Sequence, residues 1–180
     1  MEIVDMKQLN ASQLSQAARI LTEEIPIGWP GLKDAEEEIV KLRDGKPGTL
    51  LLAAVEEGEV IGWCGMIPKY GGNVYELHPL AVRRDRQRTG VGTVLVKRIE
   101  EEARAAGGLT LWVGADDDKP GGETSFANAD LYDDLPGRIA GFVPGTHQAA
   151  FYMKLGFKII GVMPDANGPG KPDIFLAKKL

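Results

Sequence analysis

The chain has 180 residues, the size of one ordinary domain. Its 43% hydrophobic and 26% charged residues are the balance of a globular rather than a disordered chain. A formal net charge of −5 has the wrong sign for a phosphate-binding surface, so general DNA or RNA binding is not expected, and one cysteine with two histidines leaves no disulfide and no structural zinc or other metal site.

In chain order, residues 1–6 read as a short strand. Residues 12–23 carry Leu14, Ala17, Ala18 and Leu21 at helical spacing. Two prolines and two glycines in residues 25–31 end that helix, and Asp34 is a fair N-cap for a second one running to Leu42. Residues 49–55 and 60–67 are β-rich runs around Glu56-Glu57-Gly58-Glu59, a hairpin signal. Residues 73–82 read as a third long strand. Residues 91–106 form the clearest helix, with Val91, Leu95, Ile99 and Ala103 on one face and Gly107-Gly108 as its stop. Residues 109–115 read as a buried strand and 116–145 as a polar loop with room for short helices. Residues 147–155 read as a helix, and residues 157–163 and 172–178 as two closing strands. The order predicts one α/β (α+β) domain over 1–180, a mixed sheet with helices on both faces. No apolar run reaches the roughly 20 residues of a membrane helix, and the N-terminus lacks a signal peptide's basic and apolar regions. The expectation is a cytoplasmic protein without a membrane partner.

Between the third long strand and the clearest helix lies Gln87-Arg88-Thr89-Gly90-Val91-Gly92-Thr93. Glycines at 90 and 92 let a ligand approach the backbone. A helix start leaves N–H groups unpaired and turns its positive dipole end outward, which suits a pyrophosphate. The spacing is neither the nucleotide P-loop nor the dinucleotide fingerprint.

That stretch, preceded by Leu80-Ala81-Val82 and followed by an amphipathic helix, resembles the acetyl-CoA motif of the GNAT acyltransferases. Phe151-Tyr152-Met153-Lys154-Leu155-Gly156-Phe157 resembles the family's second signature. Tyr75 to Leu80, Gly114 to Asp117, Ala127 to Tyr132 and Gly161 to Gly168 are similar to the chromosomal aminoglycoside 6'-N-acetyltransferase subgroup seen in enterococci. The resemblance implies the GNAT fold, a mostly antiparallel sheet splayed between strands 4 and 5, with acetyl-CoA as co-substrate in the gap. It implies that the backbone of Leu80, Ala81 and Val82 pairs with the pantetheine arm, that Gln87, Arg88, Thr89, Gly90, Val91, Gly92 and Thr93 hold the pyrophosphate, and that the enzyme is a homodimer.

Period two places Glu76, His78 and Leu80 on one strand face. An attacking ammonium must lose a proton, and Glu76 is the candidate base with His78 in support, a role the resemblance also implies. A solvated sheet-face glutamate and a satisfied strand histidine fit the same pattern. Tyr152 can give a hydrogen bond or a proton to a leaving thiolate, whose ordinary pKa is about 8.5, or it can be core packing. Trp29, in the break between the first two helices, can cover a sugar ring or close the helix pair. Asp116 is in line to face the amine by resemblance; Asp117 and Asp118 also fit plain turn residues. Trp63 and Trp112 read as core, and Cys64 as a buried small side chain rather than a nucleophile.

Residues 116–134 hold seven acids (Asp116, Asp117, Asp118, Glu123, Asp130, Asp133, Asp134) and Lys119 as their one base, net −6, which leaves the rest of the chain at +1. An acidic acceptor side and the arginines at 83, 84, 86 and 88 suit a small polycationic amine and an anionic co-substrate. The expected reaction is acetylation of an aminoglycoside 6'-amine by direct attack in a ternary complex. The alternatives are another amine (a polyamine, a protein N-terminus or a lysine) and a CoA-binding module without catalysis.

Overall fold

A computed structural model describes residues 1–180, and their contacts gather them into two units, residues 1–111 with Leu180 and residues 112–179. The first unit contains β1 (Glu2–Asp5), α1 (Ala11–Glu24), α2 (Leu32–Arg43), β2 (Leu50–Glu56), β3 (Glu59–Lys69), β4 (Val74–Val82) and α3 (Val91–Ala105). Helix α1 starts in a capping box: the Gln13 N–H donates to Asn10 Oδ1 at 3.0 Å and the Asn10 N–H to Gln13 Oε1 at 3.1 Å. Asp34 does not cap α2. Leu32 and Lys33 are good helix formers, so the helix extends back to Gly31 as N-cap, and Asp34 falls in the first turn, where its negative charge is favoured by the positive end of the dipole.

Strands β1 to β4 are antiparallel neighbours in sequence order. Leu51, Ala53, Trp63 and Ala81 share a buried cluster with Ala17, Ala18 and Leu21 of α1 and with Ala35 and Ile39 of α2. The Trp63 indole N–H donates to the Ala17 carbonyl at 2.9 Å, so the ring is fully buried with its polar atom satisfied. Leu52, Ala54 and Cys64, one residue along, point to the opposite face. There α3 covers the sheet with Leu95, Val96, Ile99 and Ala103. Burial on both faces is why residues 50–55 and 60–66 read as nearly continuous apolar runs.

Strand β4 carries a bulge. Cys64 pairs with Leu80 and Met66 with Leu77, so three steps on β4 oppose two on β3. Gly65 makes room for it: a Cβ there would come within 2.5 Å of the His78 carbonyl oxygen. The extra residue changes which face each side chain takes. Glu76 pairs with Ile67, which packs on the α1/α2 cluster, whereas Leu80 pairs with Cys64 on the α3 face. Simple period-two counting, which puts Leu80 beside Glu76 and His78, fails at this point.

The second unit contains most of β5 (Thr110–Asp116), then α4 (Leu135–Ala140), α5 (Ala149–Lys154), β6 (Lys158–Met163) and β7 (Asp173–Lys179), with β7 between β5 and β6. The long polar segment after β5 is organised by a buried acid. Asp117 accepts from the Glu123 and Thr124 N–H groups, both at 2.8 Å, and its own N–H donates to the Pro172 carbonyl at 2.9 Å. Trp112, expected in the core, is only partly buried and meets Phe175 edge-on at 5.9 Å. No helix is long and apolar enough to cross a membrane.

Cys64 is fully buried, and burial pushes its thiol far above its ordinary value. The thiolate is the reactive form, so native protein should resist an aromatic disulfide reagent and release about one equivalent of colour only in strong denaturant. Rapid labelling of the folded protein would contradict this burial.

Candidate active site

The turn between β4 and α3 is built largely from internal bonds. Gln87 Nε2 donates to Glu24 Oε2 at 2.7 Å and to the Val82 carbonyl at 3.0 Å. The Thr89 hydroxyl donates to the Arg86 carbonyl at 2.7 Å. Both residues belong to the stretch expected to hold the pyrophosphate, and here their side-chain donors are engaged within the protein. The arginines divide the same way. Arg83 is bound by Asp85 at 2.7 Å and Glu59 at 2.9 Å, Arg84 lies 3.6 Å from Glu24, and Arg86 lies 2.8 Å from Glu56. Arg88, exposed and at φ 63°, forms no ion pair. Gly90 is the N-cap at φ 99°, with nothing within 4 Å of where a Cβ would sit. The first helical N–H to find an intrahelical acceptor is that of Val94, on the Gly90 carbonyl at 3.0 Å. The N–H groups of Val91, Gly92 and Thr93 therefore lie at the open, positive end of a four-turn helix. This is the cradle a pyrophosphate requires, and the residues fit the group the sequence implied.

On the other side of β4 the bulge gathers a polar cluster against α2. The Glu76 carboxylate is 2.7 Å from Lys69 Nζ. His78 Nε2 is 3.9 Å from Glu38 Oε1, and Glu38 Oε2 accepts from Lys41 Nζ at 2.8 Å. Trp29 lies over the imidazole, with ring centroids 5.7 Å apart, while its other side packs on the α1/α2 core. Its packing on the two helices is the helix-closing reading of Trp29. Partial burial pushes His78 below its ordinary value; Glu76 and Glu38 pull it back less strongly, and Lys41 and Lys69 oppose them. Sequence reasoning brought Glu76, His78 and Trp29 forward. It missed Glu38, Lys41 and Lys69, which reach the site from α2 and β3 and carry no motif.

In the second unit Asp116 is exposed and accepts from Asn167 Nδ2 at 2.6 Å. Its backbone is held by His147, almost fully buried, whose Nε2 lies 2.9 Å from the Asp116 carbonyl. The Ala149 N–H donates to His147 Nδ1 at 3.2 Å, so Nδ1 is the acceptor and Nε2 carries the proton. His147 thereby ties the end of β5 to the start of α5. Tyr152 is nearly buried, 5.1 Å from the Phe151 ring and 5.6 Å from Phe157. Of the acids in 116–134, Asp134 caps α4 and Asp130 bonds the Tyr132 N–H. Burial opposes ionisation of Glu123, but hydrogen bonds from Lys119 and Thr146 hold its carboxyl below the ordinary range.

Residues 14–121 match the family model described as the acetyltransferase (GNAT) family. An aminoglycoside 6'-N-acetyltransferase solved with coenzyme A is 36% identical, with 99% of this chain and 97% of that chain covered and a TM-score of 0.89. The aminoglycoside 6'-N-acetyltransferase of Enterococcus faecium has the same identity and coverage and a TM-score of 0.87. Aminoglycoside 6'-acetyltransferase type Ii is 32% identical over the same shares, with a TM-score of 0.76. Comparison with curated protein sequences found no match. The mixed, mostly antiparallel α/β fold expected from the sequence is the fold of these neighbours. With a family model spanning more than half its length and likeness above 30% identity along nearly all of it, the chain belongs to the GNAT acetyltransferase family.

Proposed function

We propose that this enzyme acetylates the 6'-amine of aminoglycosides from acetyl-CoA by direct attack in a ternary complex. The observation that carries this reading is the chain-long likeness to aminoglycoside 6'-N-acetyltransferases, one of them solved with coenzyme A. The carboxylates of Glu76 and Glu38, on the side of the sheet where Trp29 meets His78, supply negative charge that suits a polycationic sugar.

Acetyl-CoA supplies the acetyl group as a thioester. Val91, Gly92 and Thr93 present N–H groups to its pyrophosphate, Arg88 adds charge, and the backbone of Leu80 to Val82 lies beside them for the pantetheine arm. Glu76 takes a proton from the acceptor ammonium, directly or through water, and the freed amine attacks the thioester carbonyl. A C–N bond forms and the C–S bond breaks. The nitrogen gives up two protons overall. One leaves through Glu76 to solvent; the other balances the proton that the departing thiolate takes up. His78 enters uncharged, so it can hydrogen-bond Glu76 or a bridging water without adding a second cation.

The decisive measurement is thiol release with kanamycin, spermidine and a histone-type peptide, with Glu76→Ala alongside. Kanamycin should be the best acceptor, and Glu76→Ala should lower turnover about 100-fold or more while leaving CoA affinity near wild type. Turnover with spermidine or peptide alone would sink the aminoglycoside reading, and undiminished turnover would remove Glu76 as base. Gly90→Asp should bind CoA at least about tenfold, or about 1.4 kcal/mol, more weakly than Gly90→Asn, because the two share the backbone cost and differ in charge. Equal affinities by calorimetry would move the pyrophosphate away from α3. The depressed His78 yields a pH prediction. Its unfolded form gains a proton near pH 6.5 and its folded form only lower, so its stabilising contribution is complete above about pH 6.5 and fades as the pH falls through that value. With 38% of the side chain exposed the effect is small. The urea midpoint of wild type should drop more between pH 7 and pH 5 than that of His78→Gln; equal drops would contradict it.

A further inference from the structure

The carboxylate read as the base already holds an ammonium. Lys69 Nζ lies 2.7 Å from Glu76 Oε2, with only 18% of the Glu76 side chain and 35% of the Lys69 side chain exposed. Lys69 pairs with Val74 and Ile67 with Glu76, so the lysine reaches diagonally across the strand pair. The surface pair Lys33–Glu37, at 3.6 Å with 86% and 68% exposure, is the opposite case, a solvated contact of little consequence. The sheltered contact is a charge-assisted hydrogen bond. The remaining charged groups are accounted for. Lys41 is bound by Glu38, and His78 faces Glu38 from the same strand as Glu76.

A lysine ε-ammonium and a protonated primary amine on the exocyclic sixth carbon of a sugar are the same functional group, a CH₂–NH₃⁺. We propose that Lys69 is a resident occupant of the acceptor-amine position on Glu76, and that it selects acceptors carrying several ammonium groups over monoamines. This rests on the reading of Glu76 as the group that receives the acceptor. Its flexible four-carbon stem lets Lys69 swing aside. The carboxylate is then competent only for the fraction of time it is vacated, and the apparent affinity of any acceptor falls by that fraction. A polycation offers several ammonium groups to Glu76 and has Glu38 and Trp29 to hold its other charges while it displaces the lysine. A monoamine meets the full competition with no such help.

The test is steady-state kinetics with kanamycin and with a 6-amino-6-deoxy-glucoside, which bears one amine. The enzymes are wild type, Lys69→Gln, Lys69→Arg, Lys33→Gln and Glu76→Gln, each checked by thermal melting. Lys69→Met, which keeps the stem, replaces the glutamine variant if that does not fold. Lys69→Gln should lower the acceptor KM by about tenfold, with a larger fall for the monoamine and a smaller change in kcat. Lys69→Arg should keep the wild-type KM, and Lys33→Gln, which removes the same charge elsewhere, should leave it in place. An unchanged or higher KM in Lys69→Gln overturns the proposal. So does an equal fall in Lys33→Gln, which would assign the effect to overall charge, and so does Lys69→Arg behaving like Lys69→Gln. Wild-type turnover in Glu76→Gln would instead overturn the reading of Glu76 as base, whatever the lysine variants show.

Discussion

The extra residue in β4 is the constraint on which the site depends. Without it, Glu76, His78 and Leu80 would share a face, and the residues beyond would run on in the same alternation. With it, the strand serves two surfaces. Its first half turns a carboxylate and an imidazole toward α2 and Trp29, and its second half turns Leu80 toward α3. Gly65 is the condition for this, because the bulged backbone comes too close for any side chain there.

Charge is the second organising theme, and it works locally. A net −5 says little, since most of the charged groups are spoken for by neighbours. Three of the four arginines after β4 are neutralised by Glu24, Glu56, Glu59 and Asp85. What remains for a phosphate is Arg88 and the backbone at the start of α3. That suits a turn that must be rigid before the ligand arrives, with donors fixed by the fold rather than by long side chains. The acidic segment behaves alike. Asp117 is spent on the loop backbone, Asp134 on a helix cap and Asp130 on the Tyr132 N–H, and of these Asp134 and Asp130 stay exposed, as do Asp116 and Asp133.

Much of the fold was legible because its signals are local. The α3 stripe, the hairpin around Gly58 and the doubly buried β2 and β3 all follow from spacing and turn chemistry. Asp34 misled because capping preference is weaker than the pull of helix-forming neighbours. Leu80 misled because alternation assumes an unbroken register, and a bulge is set by the partner strand. Glu76, His78, Trp29 and the Gly90 turn were found through motif and resemblance. Lys69, Glu38 and the buried roles of Asp117 and His147 were not, since each depends on contacts with residues distant in sequence.

Glu24 joins two regions that are otherwise separate along the chain. As the last residue of α1 it grips Gln87 and Arg84, and the next residues form the break that carries Trp29. The helix end is therefore tied to the turn before α3, while the break is anchored on the helices themselves: Ile25 packs on their core and the Gly31 carbonyl accepts from the Thr22 hydroxyl. A change to Glu24 would therefore be felt at both ends, at the turn that leads into α3 and at the start of the break that carries Trp29.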